Sequence, residues 1–87
     1  MSLQDIDGSW KDKKLIGLSN NPEKVQDIMK TINPDIVITF LVTLWIQKYH
    51  TQKQYALLVK KAQSWLKKVM KEAMIEENKL EELNAYI

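Results

Sequence analysis

The stretch Ile36-Val37-Ile38-Thr39-Phe40-Leu41-Val42-Thr43-Leu44-Trp45-Ile46 decides how the rest of the chain is read. It carries no charge, and its only polar members, Thr39 and Thr43, stand four apart and so on one side of a helix. Its β-branched content would suit a strand, but Asn33-Pro34-Asp35 just ahead supplies a cap, a proline for the first helical position and an acid for the first turn. The pattern predicts a helix. As a helix these residues rise only ~16 Å, about half a hydrocarbon core, which excludes a membrane span. A helix apolar on nearly every side must be covered on nearly every side, so this one is expected at the centre of the fold.

Ahead of it, Val25, Ile28, Met29 and Ile32 follow the i, i+3, i+4, i+7 spacing of a short amphipathic helix that starts at Asn21-Pro22. Lys11 to Leu18 has room for one short helical turn. Behind it, His50-Thr51-Gln52 is a polar connector, brief enough that the next helix must turn back antiparallel. That helix begins near Lys53, with Tyr55, Leu58, Val59, Ala62, Trp65, Leu66, Val69, Met70 and Ala73 in one stripe and lysines opposite. Continued further, the same wheel puts Glu76 and Glu77 on the apolar stripe, so the helix is expected to leave the core or fray near Ile75. Residues 1–75 therefore read as a helical interaction domain and 76–87 as a tail, helical or frayed. Leu80, Leu83, Tyr86 and Ile87 of that tail are free to re-engage a core, pair with another chain or hang loose. The expected fold class is all-α: a small bundle of two shorter elements and two long antiparallel helices around Phe40, Leu44, Trp45, Leu58, Trp65 and Val69.

Eighty-seven residues make one small domain near the lower limit for an unstapled core. No cysteine is present, so neither disulfides nor thiolate metal sites contribute. The lone His50 cannot build a zinc site or a triad by itself, and no cofactor, metal or catalytic residue is expected. The formal charge is only +2, yet no acid occurs from Ile36 to Lys71, where seven lysines fall, and glutamates follow. All basic residues are lysine. Without the bidentate arginine fork, DNA binding is not expected and RNA binding is a lesser alternative. The polar, acidic start shows no signal peptide, which makes a cytoplasmic address the expectation.

Gln4-x-x-x-Gly8-x-Trp10 reads as a turn in which Gly8 permits a tight bend and Trp10 plugs a crevice. It resembles the repeat of α/α-barrel terpene cyclases, but it occurs once and is read as structural. A wider resemblance runs from Leu3 to Val69. Asp7-Gly8-Ser9-Trp10, then Lys-Lys-Leu-Ile-Gly-Leu, then the apolar helix with Trp45, then Tyr-Ala-Leu-Leu-Val-Lys-Lys-Ala-Gln-Ser-Trp65-Leu, resembles the C-terminal helical region of proteins carrying a vault inter-alpha-trypsin (VIT) domain and a von Willebrand factor A domain. It is similar, more distantly, to the vault-binding region of the vault poly(ADP-ribose) polymerase. The resemblance implies a module that docks on the major vault protein, with Asp7, Gly8, Trp10, Trp45 and Trp65 as fold determinants.

The function expected is thus non-enzymatic protein binding. Leu57, Lys60, Lys61, Lys67, Lys68, Lys71, Met74 and Ile75 are the candidate contacts, off the main stripe or on the lysine face. The alternative is a structural domain that packs within its own chain or self-associates through the tail.

Overall fold

Asn21-Pro22 and Asn33-Pro34 each open a helix. In the computed structural model, which describes residues 8–10, 13–50 and 53–87, α1 spans Pro22–Met29, α2 Pro34–Tyr49 and α3 Lys53–Glu72. The Asn21 side chain accepts from the Lys24 N–H at 3.4 Å and that of Asn33 from the Asp35 N–H at 2.9 Å. Each proline takes a first-turn position, where an N–H would have no helical partner. Single 3-10 segments cover Lys13–Leu18, Glu77–Lys79 and Glu81–Tyr86. The described residues contain no strand, and the fold is an all-α small bundle. None of these helices is long and apolar enough to cross a membrane.

Helix α2 is buried continuously from Ile36 to Thr43 and again at Ile46. Two separate clusters accomplish this. Ile38, Val42 and Ile46, at i, i+4, i+8, pack with Trp10, Leu15 and Ala62. Ile36, Val37, Phe40 and Leu41 pack with Val25 of α1, Leu66 and Met70 of α3, and Leu80, Leu83 and Ile87 from the end of the chain. Fully burying each such aliphatic side chain contributes about 1.5–3 kcal/mol, so both clusters are needed to hold a domain of this size. Helix α3 returns antiparallel. Gln47, late in α2, and His50, its C-cap, sit beside Tyr55 and Val59, whereas Phe40 meets Leu66 and Met70. Thr51 and Gln52 of the connector lie outside the described residues.

The polar pair in α2 has distinct uses. Thr39 Oγ1 accepts from the Trp10 N–H at 2.9 Å and donates to the Trp10 carbonyl at 3.2 Å, which pins a segment 29 positions away against the helix. Thr43 Oγ1 donates to the Thr39 carbonyl at 2.7 Å and so satisfies itself within the helix. Trp10 is fully buried, and its indole Nε1 has no partner among the described residues; ring burial and the backbone clamp hold it. Gly8 has φ +97°, and a Cβ there would stand 2.6 Å from the Lys61 carbonyl oxygen. Only glycine permits both that dihedral and that approach to α3. Gln4 and Asp7 of the same motif lie outside the described residues.

At the C-terminal end the structure selects among the alternatives left open, and in the core it corrects an expectation. Helix α3 ends at Glu72 in a Schellman motif: the Ile75 N–H donates to the Met70 carbonyl at 2.9 Å, and the Met74 N–H to that of Lys71 at 3.2 Å. Met74 supplies the left-handed residue, with φ 56°. Glu76 is thereby kept off the apolar stripe. Beyond it the chain does not fray but turns back, burying Leu80, Leu83 and Ile87 in the larger cluster. Ser19 Oγ donates to the Tyr86 carbonyl at 2.7 Å, the Asn20 N–H donates to the same oxygen, and Lys48 Nζ donates to Ile87 O at 2.8 Å. A boundary at residue 75 therefore does not separate two bodies. The side chains proposed for self-association through the tail are occupied within the domain. In the core, Phe40 is buried, but Leu44, Trp45, Leu58, Trp65 and Val69 are half-buried around its margin. Ile38, Leu41 and Val42 of α2 are fully buried, with Trp10 as the one buried indole among the described residues; the helix-borne Trp45 and Trp65 stand at the margin.

Candidate functional site

Between α2 and α3 runs a groove of about 630 Å³. Phe40, Leu44, Leu66, Met70 and Ile75 give it hydrocarbon, and Thr43, Gln47, Gln63, Ser64, Lys60, Lys67 and Lys71 its polar surface. Phe40, Thr43, Leu66 and Met70 are buried and form the floor; Gln47, Gln63, Ser64 and the lysines stand exposed along the rim. A second depression of about 300 Å³ adjoins it, sharing Gln47, Lys60 and Gln63 and ending at His50, Tyr55, Ala56 and Val59. Together the two follow α3 from Tyr55 to Lys71 and reach Ile75 just past its end.

The rim is electrically one-sided. All three of its charges are lysines of α3, at i, i+7, i+11, while α2 contributes Gln47 and Leu44 and no charge. None of the three lysines makes an ion pair among the described residues, and neither helix holds an acid between Ile36 and Lys71. Ammonium groups held beside hydrocarbon and lacking local carboxylates project a positive field over an apolar floor. The larger groove's lining groups are lysines, amides and hydroxyls set over hydrocarbon. Among the described residues, no cluster of three or more His, Asp or Glu side chains is placed to hold a metal ion.

The candidate contacts named from sequence do not form one patch. Lys60, Lys67, Lys71 and Ile75 come together on the groove. Leu57, Lys61 and Lys68, related by i, i+4, i+11, fall on the other flank of α3, where the Lys61 backbone receives Gly8. Leu57 and Met74 are both strongly exposed, but they lie at opposite ends of α3, roughly 25 Å apart at the helical rise per residue. Of the motif tryptophans, Trp10 is a core plug, Trp65 packs on the margin of the larger cluster, and Trp45 belongs to a ring column. In that column the His50 ring lies 4.5 Å from Trp45 and 5.1 Å from Tyr55 between centroids, bridging the two helices at the closed end of the groove. Trp45 also meets Tyr49 at 6.1 Å.

Sequence reasoning missed the α2 wall of the groove, Thr43, Leu44 and Gln47. A helix apolar all round gives its wheel no direction, so only the pairing with α3 shows which residues stay uncovered. The His50 bridge was missed too; an imidazole flanked by Trp45 and Tyr55 at spacings of five was the available signal. No family model, curated protein or solved structure matches the chain.

Proposed function

We propose that this chain is a non-enzymatic protein-interaction module that recruits its parent protein to a larger assembly through the α2/α3 groove. The observation that carries this reading is the apolar floor beneath a rim of three lysines with no carboxylate partner among the described residues. A hydrocarbon surface left open beside α2 gains by being covered, and unpaired lysines at its edge guide an acidic partner into register. The major vault protein is the specific candidate. Support for that choice is the resemblance of the Gly8–Trp10 segment, the apolar helix and the Trp65-bearing helix to the vault-associated helical regions, and a cytoplasmic location goes with it.

The test is capture of the 87-residue chain by purified major vault protein at low and high salt, beside a Lys60→Glu/Lys67→Glu/Lys71→Glu variant. Capture that persists at high salt and is lost in the variant is the expected result. No capture of a cooperatively folded chain overturns the vault assignment. Capture that depends on RNA and collapses steeply with salt would identify phosphate binding instead.

A further inference from the structure

The groove's occupant has a shape and a charge pattern that its walls specify. We infer that it is an amphipathic α-helix of a partner protein, with carboxylates along one flank only; this rests on the groove being the docking surface, as proposed above. Both walls are α-helices whose backbone groups are paired within the helix, so neither wall is a sheet edge that an extended segment could join. An extended peptide laid on hydrocarbon would leave its own N–H and C=O groups without partners on the buried side, whereas a helix satisfies them internally. The length agrees. From Tyr55 to Met70 the groove follows α3 for roughly 22 Å, about four helical turns.

Charge fixes the orientation about the helix axis. Lys60, Lys67 and Lys71 line the α3 side over roughly 16 Å, and the α2 side offers Phe40, Thr43, Leu44 and Gln47 and no charge. The occupant's acidic flank therefore faces α3, its apolar stripe meets Leu44, Leu66 and Met70, and its uncharged flank rests on Gln47. Carboxylates at i, i+7, i+11 on that flank match the lysine spacing when the occupant runs parallel to α3, and carboxylates at i, i+4, i+11 match it when the occupant runs antiparallel. A nucleic-acid backbone would use the lysines but leave the hydrocarbon floor uncovered. Protein is therefore the class the groove favours.

An 18-residue synthetic peptide with leucines at i, i+3, i+4, i+7 and glutamates on one flank at the lysine spacing is the probe. Its binding to the isotopically labelled chain is followed by NMR, together with a lysine-for-glutamate version and a scrambled one. Expected are shifts confined to Leu44, Gln47, Gln63, Met70 and Ile75, helix induction in the bound peptide, and at least tenfold weaker binding to the Lys60→Glu/Lys67→Glu/Lys71→Glu variant. That variant should in turn prefer the lysine peptide. A Lys61→Glu/Lys68→Glu variant, altered on the other flank, should stay within about twofold of the native chain. Equal weakening by the two variants, shifts mapping to Leu57, an extended bound peptide, or no binding by a folded chain would each overturn the inference. Peptide binding without vault capture would remove the vault assignment and leave this inference standing; vault capture indifferent to the groove lysines would do the reverse.

Discussion

Both ends of the described chain close on α2, and they do so by different means. Residues 8–10 arrive as one large plug: Trp10 fills a crevice, Thr39 holds its backbone at both polar groups, and Gly8 lets the chain pass against the Lys61 carbonyl. The C-terminal segment arrives as a row of aliphatic side chains, Leu80, Leu83 and Ile87, with its last carbonyls tied down by Ser19, Asn20 and Lys48. The first closure is concentrated in a single ring and a special dihedral; the second is spread over several residues and part-buried polar ties. A concentrated closure should fail abruptly when its one ring is removed, and a distributed one by degrees.

Removing the plug should have the largest effect. Trp10→Ala is expected to destabilise the chain by about 3–5 kcal/mol, the range for deleting a buried aromatic, and denaturant unfolding would show it. Leu83→Ala, on the distributed side, should cost about 3 kcal/mol by the same measurement. A loss below about 1 kcal/mol would mean that the C-terminal segment is merely laid on the surface, and the comparison would break. Gly8→Ala should cost about 2–3 kcal/mol, because the new Cβ meets backbone at a dihedral that L side chains rarely adopt.

Smaller effects sharpen the contrast. Thr39→Val keeps the shape but leaves the Trp10 N–H and carbonyl without their buried partner, for an expected loss of about 1–3 kcal/mol. Hydrogen exchange at Trp10 should speed up in that variant while Leu83 stays protected, if the two closures open independently. Met74→Gly works in the opposite direction. It relieves a left-handed methionine at the end of α3 and should stabilise the chain by about 1 kcal/mol, or a Tm rise of about 4–8 °C for a domain of this size. No rise would mean that the exposed Met74 side chain makes up for its dihedral through contacts of its own.

Legibility followed the range of the interactions. The Asn-Pro starts, the Val25, Ile28, Met29, Ile32 stripe and the amphipathic α3 were readable because caps and periodicity act within one or two turns. The end of α3 was half-readable: Glu76 and Glu77 on the apolar stripe announced a stop near Ile75, but the Schellman closure with methionine in the glycine position had no sequence mark. Of the lysine face, sequence supplied the members and not the division. Lys60, Lys67 and Lys71 differ from Lys61 and Lys68 only in which flank α2 approaches.

By itself, then, the sequence determined an all-α chain in which two helices start at Asn-Pro pairs and the central helix between Ile36 and Ile46 is uncharged and requires cover on nearly all sides. Which segments supply that cover was decided only by tertiary structure. The deciding contacts join residues 29, 39 and 67 positions apart, Trp10 to Thr39, Lys48 to Ile87 and Ser19 to Tyr86. A helix apolar all round accepts any apolar partner on any face, and so it states a need without naming who meets it. The groove is what remains of that need on the side where α2 meets the lysines of α3.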